Sequence, residues 1–164
     1  MHSKFERAGS ALNALFKYLA CGFLCMVIIG TFTQVFTRYV MNNSLSWTEE
    51  LARYSFIWLN MLAASVALRA GTHASVNILE NRLAGKALLA HQCIVYAAVI
   101  IGSALLVTQG WKMMMVAYGK PSTVMRLPMQ YVYMAIPVGG LGMLAQAIFK
   151  AVALFMKKDG ETAT

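Results

Sequence analysis

The ionisable side chains that could move a proton or an ion lie together in the run Ser46-Trp47-Thr48-Glu49-Glu50, with Arg53 shortly after. Glu49 and Arg53 have the i, i+4 spacing at which opposite charges meet on one face of a helix. We therefore expect an ion pair between them, and we expect Glu50 to pair with Arg53 or with a neighbouring chain. A relay carboxylate would lie deeper in a membrane span, so these acids are better placed to join protein surfaces. Water-facing charge and a proton or ion relay remain as alternative interpretations.

The histidines and cysteines offer little support for metal or cofactor chemistry. A haem held by two histidines needs both imidazoles at one depth, whereas His73 and His91 lie far apart in the sequence. Cys21 and Cys25 share one helical face at a spacing that does not favour a disulfide, and with Cys93 they are too few for zinc. We expect apolar packing for the cysteines and interfacial hydrogen bonds for the histidines. With no nucleophile–base pair evident, the sequence predicts no enzyme, no cofactor and no metal.

The elements that must position these residues are membrane-spanning helices. Hydrophobic residues make up 59% of the 164 residues, and charged residues only 12%. The stretches 18–37, 92–111 and 127–149 contain no Asp, Glu, Lys or Arg. Each has about 20 residues, which as a helix match a hydrocarbon layer of ~30 Å. The sequence predicts an all-α integral membrane protein, one domain over residues 1–164. Its four transmembrane helices are expected at about 11–38, 47–70, 88–118 and 128–156.

The second span is unusual, because its charge-free part is only the segment between Arg53 and Arg69. It crosses the bilayer if its first turn lies at the interface or packs on protein; a re-entrant or interfacial segment is the alternative. One helical face carries a stripe of charged, aromatic, amide and small residues: Glu49, Arg53, Phe56, Asn60, Ala63 or Ala64, and Ala67. Polar groups in lipid need partners, and small residues permit close helix approach, so we expect this face to contact protein.

The distribution of basic residues predicts the orientation. Nine of the 14 Lys and Arg residues flank the N terminus, the loop after the second span and the C terminus, against five near the two other loops. The positive-inside bias therefore predicts both termini in the cytoplasm, N-in and C-in. The formal net charge of +8 suggests contact with anionic membrane lipid. The basic residues form no single stripe, so nucleic-acid binding is not expected.

Shorter patterns predict local structure. Val76, Leu79 and Leu83 recur at helical spacing, which predicts an amphipathic interfacial helix over about residues 74–85 on the cytoplasmic surface; a solvated linker is the alternative. Trp47 is expected in the aromatic belt of a membrane interface, and Trp58 deeper, as a packing residue.

The last span carries two further signals. Pro137 predicts a bend in the helix, because proline lacks the backbone donor that a regular helix needs. The run 139–142, which is Gly-Gly-Leu-Gly, predicts close packing against other helices.

Taken together, these residues resemble a known family. The run 46–50, followed by Arg53, Trp58 and Arg69-x-Gly71-x-His73, is similar to the signature of the small membrane subunit, DctQ type, of tripartite ATP-independent periplasmic (TRAP) transporters. Leu127-Pro128-x-x-Tyr131 and Pro137-x-Gly139 are similar to the fourth span of that family. The resemblance extends over about residues 11–155.

The resemblance implies a bacterial inner-membrane importer made of three proteins. A periplasmic substrate-binding protein captures an organic acid, of the sialic acid or C4-dicarboxylate type, and a large TRAP membrane subunit transports it with sodium. It implies that this chain is a scaffold or stator for the large subunit and binds neither substrate nor sodium. The residues then expected to join subunits or hold the structure are Trp47, Glu49, Glu50, Arg53, Trp58, Asn60, Arg69 and His73. Arg69 and His73 would tie the interfacial helix to the second span.

Two rival functions remain open. A self-contained small transporter would need its own coupling residue, for which Glu50 is the only plausible candidate. A membrane anchor of a respiratory complex would carry haem, which a visible absorption spectrum would reveal.

Overall fold

The structure is a computed structural model that describes residues 2–42, 45–70 and 86–161. Its helices are α1 (His2–Tyr39), α2 (Ser46–Ala70), α3 (Lys86–Val116), α4 (Met129–Tyr133) and α5 (Ala135–Glu161). Four segments are long and apolar enough to cross a membrane: Gly9–Tyr39, Ser46–Ala70, Cys93–Val116 and Met129–Lys150. The prediction of an all-α chain with four such helices is confirmed. The interfacial helix predicted at 74–85 lies outside the described residues.

The helices form an open row rather than a closed bundle. α1 packs on α2, α2 on α5, and α5 on α3, while α1 and α3 do not contact each other within the described residues. The inner positions of the row therefore belong to α2 and α5, and the edges to α1 and α3. A small contact between α1 and α5 covers one side of α2. The other side of α2 is left open.

The core lies where α1, α2 and α5 meet. Its buried side chains are Phe16, Ala20 and Leu62. Six partly buried residues surround them: Leu12, Phe23, Trp58, Leu59, Val66 and Val138. Close packing of these side chains stabilises the row through van der Waals contact, because lipid chains are as apolar as the side chains and the hydrophobic effect does not drive helices together in a membrane.

Glycines in α5 set the distance between helices. A Cβ at Gly139 would lie 2.7 Å from the Cβ of Met61 on α2, and one at Gly140 would lie 3.0 Å from a methyl of Val107 on α3. A Cβ at Gly142 would overlap the ring of Phe16 on α1. The three glycines thus face three different helices, which confirms the close packing predicted for this run.

The last span is broken between α4 and α5. α4 ends at Tyr133, Met134 is its C-cap, and α5 begins at Ala135. Pro137 has no N–H to donate to the carbonyl of Tyr133, four residues earlier, and its ring crowds that carbonyl. The regular helix is therefore interrupted at Met134, three residues before the proline, although Met134 keeps a helical φ of −60° and ψ of −21°. The bend expected from Pro137 stays a prediction.

A methyl group at Gly139 should destabilise the chain. Replacing Gly139 with Ala places a Cβ against Met61 on a neighbouring backbone, and overpacking of this kind costs about 1–3 kcal/mol. Gly102→Ala is the matched control, because no described atom beyond the backbone of its own helix and its two chain neighbours lies within 4 Å of the added Cβ, and alanine favours a helix. Thermal unfolding in detergent should show a lower Tm for Gly139→Ala and an unchanged or higher Tm for Gly102→Ala. Equal Tm values would contradict the packing described.

Candidate subunit interface

Glu50 lies in the second turn of α2 and is only 6% exposed. Its carboxylate accepts hydrogen bonds from the Ser122 hydroxyl at 2.6 Å and from the backbone N–H groups of Val124 at 3.1 Å and Met125 at 2.9 Å. The expectation that Glu50 pairs with Arg53 or a neighbouring chain is wrong. Its side chain points into the chain, because a buried carboxylate and buried amides satisfy one another there.

The segment that Glu50 holds is the 117–128 hairpin, which connects α3 to α4. Its two arms are joined by Ser122 N–H to the Leu127 carbonyl at 2.8 Å and by Met129 N–H to the Lys120 carbonyl at 2.9 Å. Pro121 and Pro128 form an isolated β-bridge, the only extended pairing in the described part of the chain. The start of α2 and the hairpin are therefore one structural unit at one end of the row, which we call the Glu50 end.

Replacing Glu50 with Ala should loosen the hairpin. The substitution leaves one hydroxyl and two amides without their acceptor, and unsatisfied polar groups near the core are unfavourable. Hydrogen exchange at the amides of Val124 and Met125 should accelerate roughly tenfold or more, since local opening exposes them to solvent. Glu49→Ala is the matched control and should leave these amides protected. Protection that survives in Glu50→Ala would contradict the role given to this carboxylate.

Glu49 and Arg53 form the ion pair that their spacing predicts. The Arg53 Nη2 lies 2.5 Å from the Glu49 Oε1, and both side chains are exposed, at 61% and 51%. The Glu49 side chain therefore reaches forward along α2 by one turn to Arg53. An exposed pair of this kind adds little stability to the chain itself.

The predicted stripe on α2 is exposed as far as Ala63, whereas its last member, Ala67, is half-buried. Phe56 is 55% exposed, and Asn60 and Ala63 are exposed one and two turns further along. The Asn60 Nδ2 donates to the Phe56 carbonyl at 2.7 Å, which leaves its oxygen and second N–H without partners in the described residues. We call Glu49, Arg53, Phe56, Asn60 and Ala63 the polar α2 face. It covers the open side of α2, near mid-membrane depth at Asn60.

The polar α2 face differs in chemistry from the exposed face of α1. That face is apolar at the same depth and includes Ile28, Ile29 and Phe32. Lipid solvates such side chains but offers no hydrogen bond to an amide. The polar α2 face is therefore suited to contact with protein, as its sequence pattern predicts.

Trp58 faces the interior rather than a partner. Its ring stacks on Phe23 of α1, with centroids 5.6 Å apart and planes inclined by 11°. Its indole N–H donates to the Tyr131 carbonyl at 3.2 Å, just before the break in the last span. Trp58 thus joins three helices where the α4–α5 break disturbs the regular bonding. Trp47, by contrast, is 44% exposed near the start of α2.

Arg69 lies at the opposite end of α2, which we call the Arg69 end. Its Nη1 donates to the Gln146 side-chain oxygen at 3.0 Å, and the Gln146 amide donates to the Gly9 carbonyl at 3.4 Å. Gln146 is 1% exposed, so this network joins α1, α2 and α5 inside the protein. The predicted contact of Arg69 with His73 lies outside the described residues.

Glu50 and Arg69 define the effective length of the second span. They are separated by 19 residues of one continuous helix, or roughly 28 Å, close to the thickness of the hydrocarbon layer. Both side chains are hydrogen-bonded within the chain at their own end. α2 is therefore long enough to cross the hydrocarbon layer, although its charge-free segment between Arg53 and Arg69 is short.

The histidine and cysteine predictions have mixed outcomes. Cys21, Cys25 and Cys93 are free thiols, and all three are exposed on the isolated chain, so the expected apolar packing stays a prediction. His91 is half-buried, and its Nδ1 has no hydrogen-bond partner among the side chains and backbone groups that the structure describes. Among the described residues, no group of three His, Cys, Asp or Glu could hold a metal ion.

Ser122 and Gln146 are structural residues that the sequence analysis missed. Gln146 carried a usable signal, since it is a polar residue inside the apolar stretch 127–149. A polar side chain within a span usually contacts protein. Ser122 carried none, because a serine between two helices is an ordinary loop residue.

Comparison with known proteins gives consistent results. A family model described as "Tripartite ATP-independent periplasmic transporters, DctQ component" matches residues 10–157. A Haemophilus influenzae protein named as a TRAP transporter small permease protein is 29% identical over 144 residues, which are 87% of this chain and 88% of that protein. A Vibrio cholerae protein named as the sialic acid TRAP transporter small permease protein SiaQ is 22% identical over 117 residues, 71% of this chain and 68% of that one.

A third relative is much longer than this chain. The isethionate TRAP transporter permease protein DctMQ of Oleidesulfovibrio alaskensis is 29% identical over 152 residues, which are 87% of this chain but only 24% of that protein.

Proposed function

Because this chain belongs to the DctQ-component family of tripartite ATP-independent periplasmic transporters, we propose that it is a scaffold for the large membrane subunit of an importer of organic acids. The chain is a multi-pass membrane protein and a small permease subunit of the DctQ type. In the proposed complex the large subunit carries the substrate with sodium, and a periplasmic binding protein delivers it. The small subunit holds the large one in the bacterial inner membrane.

The observation that carries this proposal is the polar α2 face. Its five residues are exposed in the isolated chain, and Asn60 has unpaired hydrogen-bonding groups near the middle of the span. Lipid cannot satisfy those groups, whereas a helix of another subunit can. The open row supports the same role, since it offers one broad side to a partner without any rearrangement of its helices.

The fused relative supports a one-to-one partner. In DctMQ, the region similar to this chain is part of a permease protein about four times longer, as its 24% share implies. A segment that is fused to a larger permease in one polypeptide has a one-to-one stoichiometry with it. This favours a contact between unlike subunits over self-association of the polar α2 face.

The proposed class of substrate is inferred from the names of the relatives. The names of two of them specify isethionate and sialic acid, both organic acids. We propose an organic acid of the sialic acid or C4-dicarboxylate type for this importer. Nine of the 14 Lys and Arg residues flank the N terminus, the loop after the second span and the C terminus, against five near the two other loops, and this distribution supports both termini in the cytoplasm.

Substitutions in the polar α2 face should weaken the complex. Asn60→Leu and Phe56→Ala, co-expressed with the large subunit, should lower its co-purification, with an affinity roughly 3- to 30-fold weaker, as expected for interhelical contacts in lipid. Phe32→Ala is the matched control: it removes a ring that is even more exposed than that of Phe56, from a face of α1 where lipid contact is expected. The readouts are the yield of large subunit in pull-down and substrate uptake in proteoliposomes. Normal co-purification and uptake in both α2 variants would contradict the proposed interface.

Reconstitution of the chain alone tests the scaffold role separately. Proteoliposomes that contain only this chain should show no sodium-driven uptake of an organic acid, and uptake should appear when the large subunit and the binding protein are added. Uptake by the isolated chain would overturn the scaffold role and favour a self-contained transporter.

A further inference from the structure

Lys17 lies near the middle of the row, measured along the helices, rather than at its end. Gly9 of α1 lies beside Arg69 of α2, and Gly30 lies beside Ala52, so the two helices are antiparallel and keep one register. Lys17 follows Gly9 by eight residues, which places it roughly 12 Å from the Arg69 end. Because the segment of α2 between Glu50 and Arg69 is roughly 28 Å long, this height is close to its middle.

Lys112 on α3, the helix at the other edge of the row, lies at nearly the same height. Gly110 of α3 packs against Pro137 of α5, and Gly139, two residues further along α5, packs against Met61 of α2. Lys112 is two residues beyond Gly110, roughly 3 Å toward the Glu50 end. Both outer helices therefore carry a lysine about midway between the two ends of the row.

Neither lysine has a partner within the described residues. Both side chains are exposed, and neither forms a hydrogen bond or an ion pair with another described residue. The acids nearest in height, Glu49 and Glu50, lie at one end of α2 and are bonded to Arg53 and to the hairpin. An ammonium group at the middle of the hydrocarbon layer without a partner is very unfavourable. A row that stands upright, with the layer centred on α2, is therefore disfavoured.

The charge-free stretches of the two outer helices extend from these lysines in opposite directions. The stretch 18–37 of α1 begins directly after Lys17 and runs toward the Glu50 end. The stretch 92–111 of α3 ends directly before Lys112 and lies toward the Arg69 end. A hydrocarbon layer that covers both stretches must cross the row obliquely. Lys17 then lies at the surface of the layer on the Arg69 side, and Lys112 at the surface on the Glu50 side.

We propose that the row lies inclined in the bilayer, with Lys17 and Lys112 bound to phospholipid phosphates of opposite leaflets. α1 and α3 are three helix spacings apart, which is roughly 25 Å. An inclination of roughly 30–40°, at the upper end of the range for membrane helices, places more than half of the ~30 Å hydrocarbon layer between the two lysines. Their long aliphatic stems reach through the remaining distance, so that each ammonium group lies among headgroups.

The phosphate group fits the chemistry of these two positions. A lysine ammonium is a compact point charge on a flexible stem, and it binds phosphate through charge-assisted hydrogen bonds. Selection of anionic lipid usually requires a cluster of 4–8 basic residues, whereas each of these lysines stands alone on its helix face. The ligand is therefore the phosphate that zwitterionic and anionic phospholipids share. A carboxylate of a partner protein is the alternative that the experiments must separate.

The natural cysteines of α1 test the inclination. Cys21 and Cys25 follow Lys17 at successive turns and are exposed on the same helix face. Two single-cysteine variants of the full chain, with the other cysteines replaced by alanine, are spin-labelled in phosphatidylcholine vesicles, and the depth of each label is measured by electron paramagnetic resonance. In an inclined row the label at Cys25 should be about 5 Å deeper than the label at Cys21. A label at Cys21 that is the deeper of the two would indicate an upright row and overturn the proposal.

Substitution of the lysines tests their role as anchors. Lys17→Leu with Lys112→Leu should reduce the difference in depth between the two labels by about half or more, because both anchors of the inclination are lost. Lys17→Arg with Lys112→Arg keeps the charge and should preserve the difference. Lys157→Leu with Lys158→Leu, the matched control, removes two lysines near the C terminus and should also preserve it. An unchanged difference in the Lys17→Leu, Lys112→Leu variant overturns the anchoring role.

Lipid binding identifies the ligand. Native mass spectrometry of the full chain should show preferential retention of phosphatidylcholine over digalactosyl diacylglycerol, which has no phosphate, and the Lys17→Leu, Lys112→Leu variant should lose this preference. Excess inorganic phosphate should not compete; if it removes the preference, the ligand is free phosphate and the lipid assignment fails. A double variant that keeps the preference but co-purifies with less large subunit overturns the phospholipid ligand in favour of a partner carboxylate.

Discussion

A buried carboxylate must have its oxygens hydrogen-bonded. The hydrogen bonds that Glu50 accepts determine where the 117–128 hairpin and the last span lie relative to α2. The donors are a hydroxyl and two backbone amides of the 117–128 hairpin, more than seventy residues away in the chain. Because of these bonds, the start of α2 and the connection between α3 and α4 occupy one place. The last span enters the row from that point, parallel to α2, and meets Arg69 at the far end through Gln146.

This parallel pairing of α2 and the last span determines the shape of the row. Met61, Ser65 and Arg69 approach Gly139, Gly142 and Gln146 in turn, so the two helices stay in register along most of their length. α1 and α3 then flank the pair without touching each other within the described residues. Hydrogen bonds within the chain fix both ends of this helix pair, at Glu50 and at Arg69, and glycines between those ends let the two helices approach closely. As a result, α2 keeps a free side that its own chain does not cover.

The sequence predicted helix number, the Glu49–Arg53 pair and the glycine packing, because each depends on composition or on spacing within one helix. It could not predict the partner of Glu50, because the donors are mostly backbone amides, which every residue type provides. It also could not predict that Cys21 and Cys25 lie on an exposed face, since an apolar face toward lipid has the same composition as one toward another helix. For the same reason, the order of the helices in the row could not be predicted from hydropathy. The exposed polar α2 face was recognisable because an amide is unusual on either kind of surface.

The free side of α2 has a consequence for the life of the protein before assembly. A newly inserted copy exposes the Asn60 amide to the bilayer until a partner helix covers it. An unsatisfied amide in lipid favours association with any protein that supplies a hydrogen bond. Such a protein could be a second unassembled copy or a membrane quality-control factor that recognises polar groups in spans. Under the proposed scaffold role, the same side chain that contacts the partner would also mark a surplus copy as incomplete, and the abundance of the chain would be linked to that of its partner.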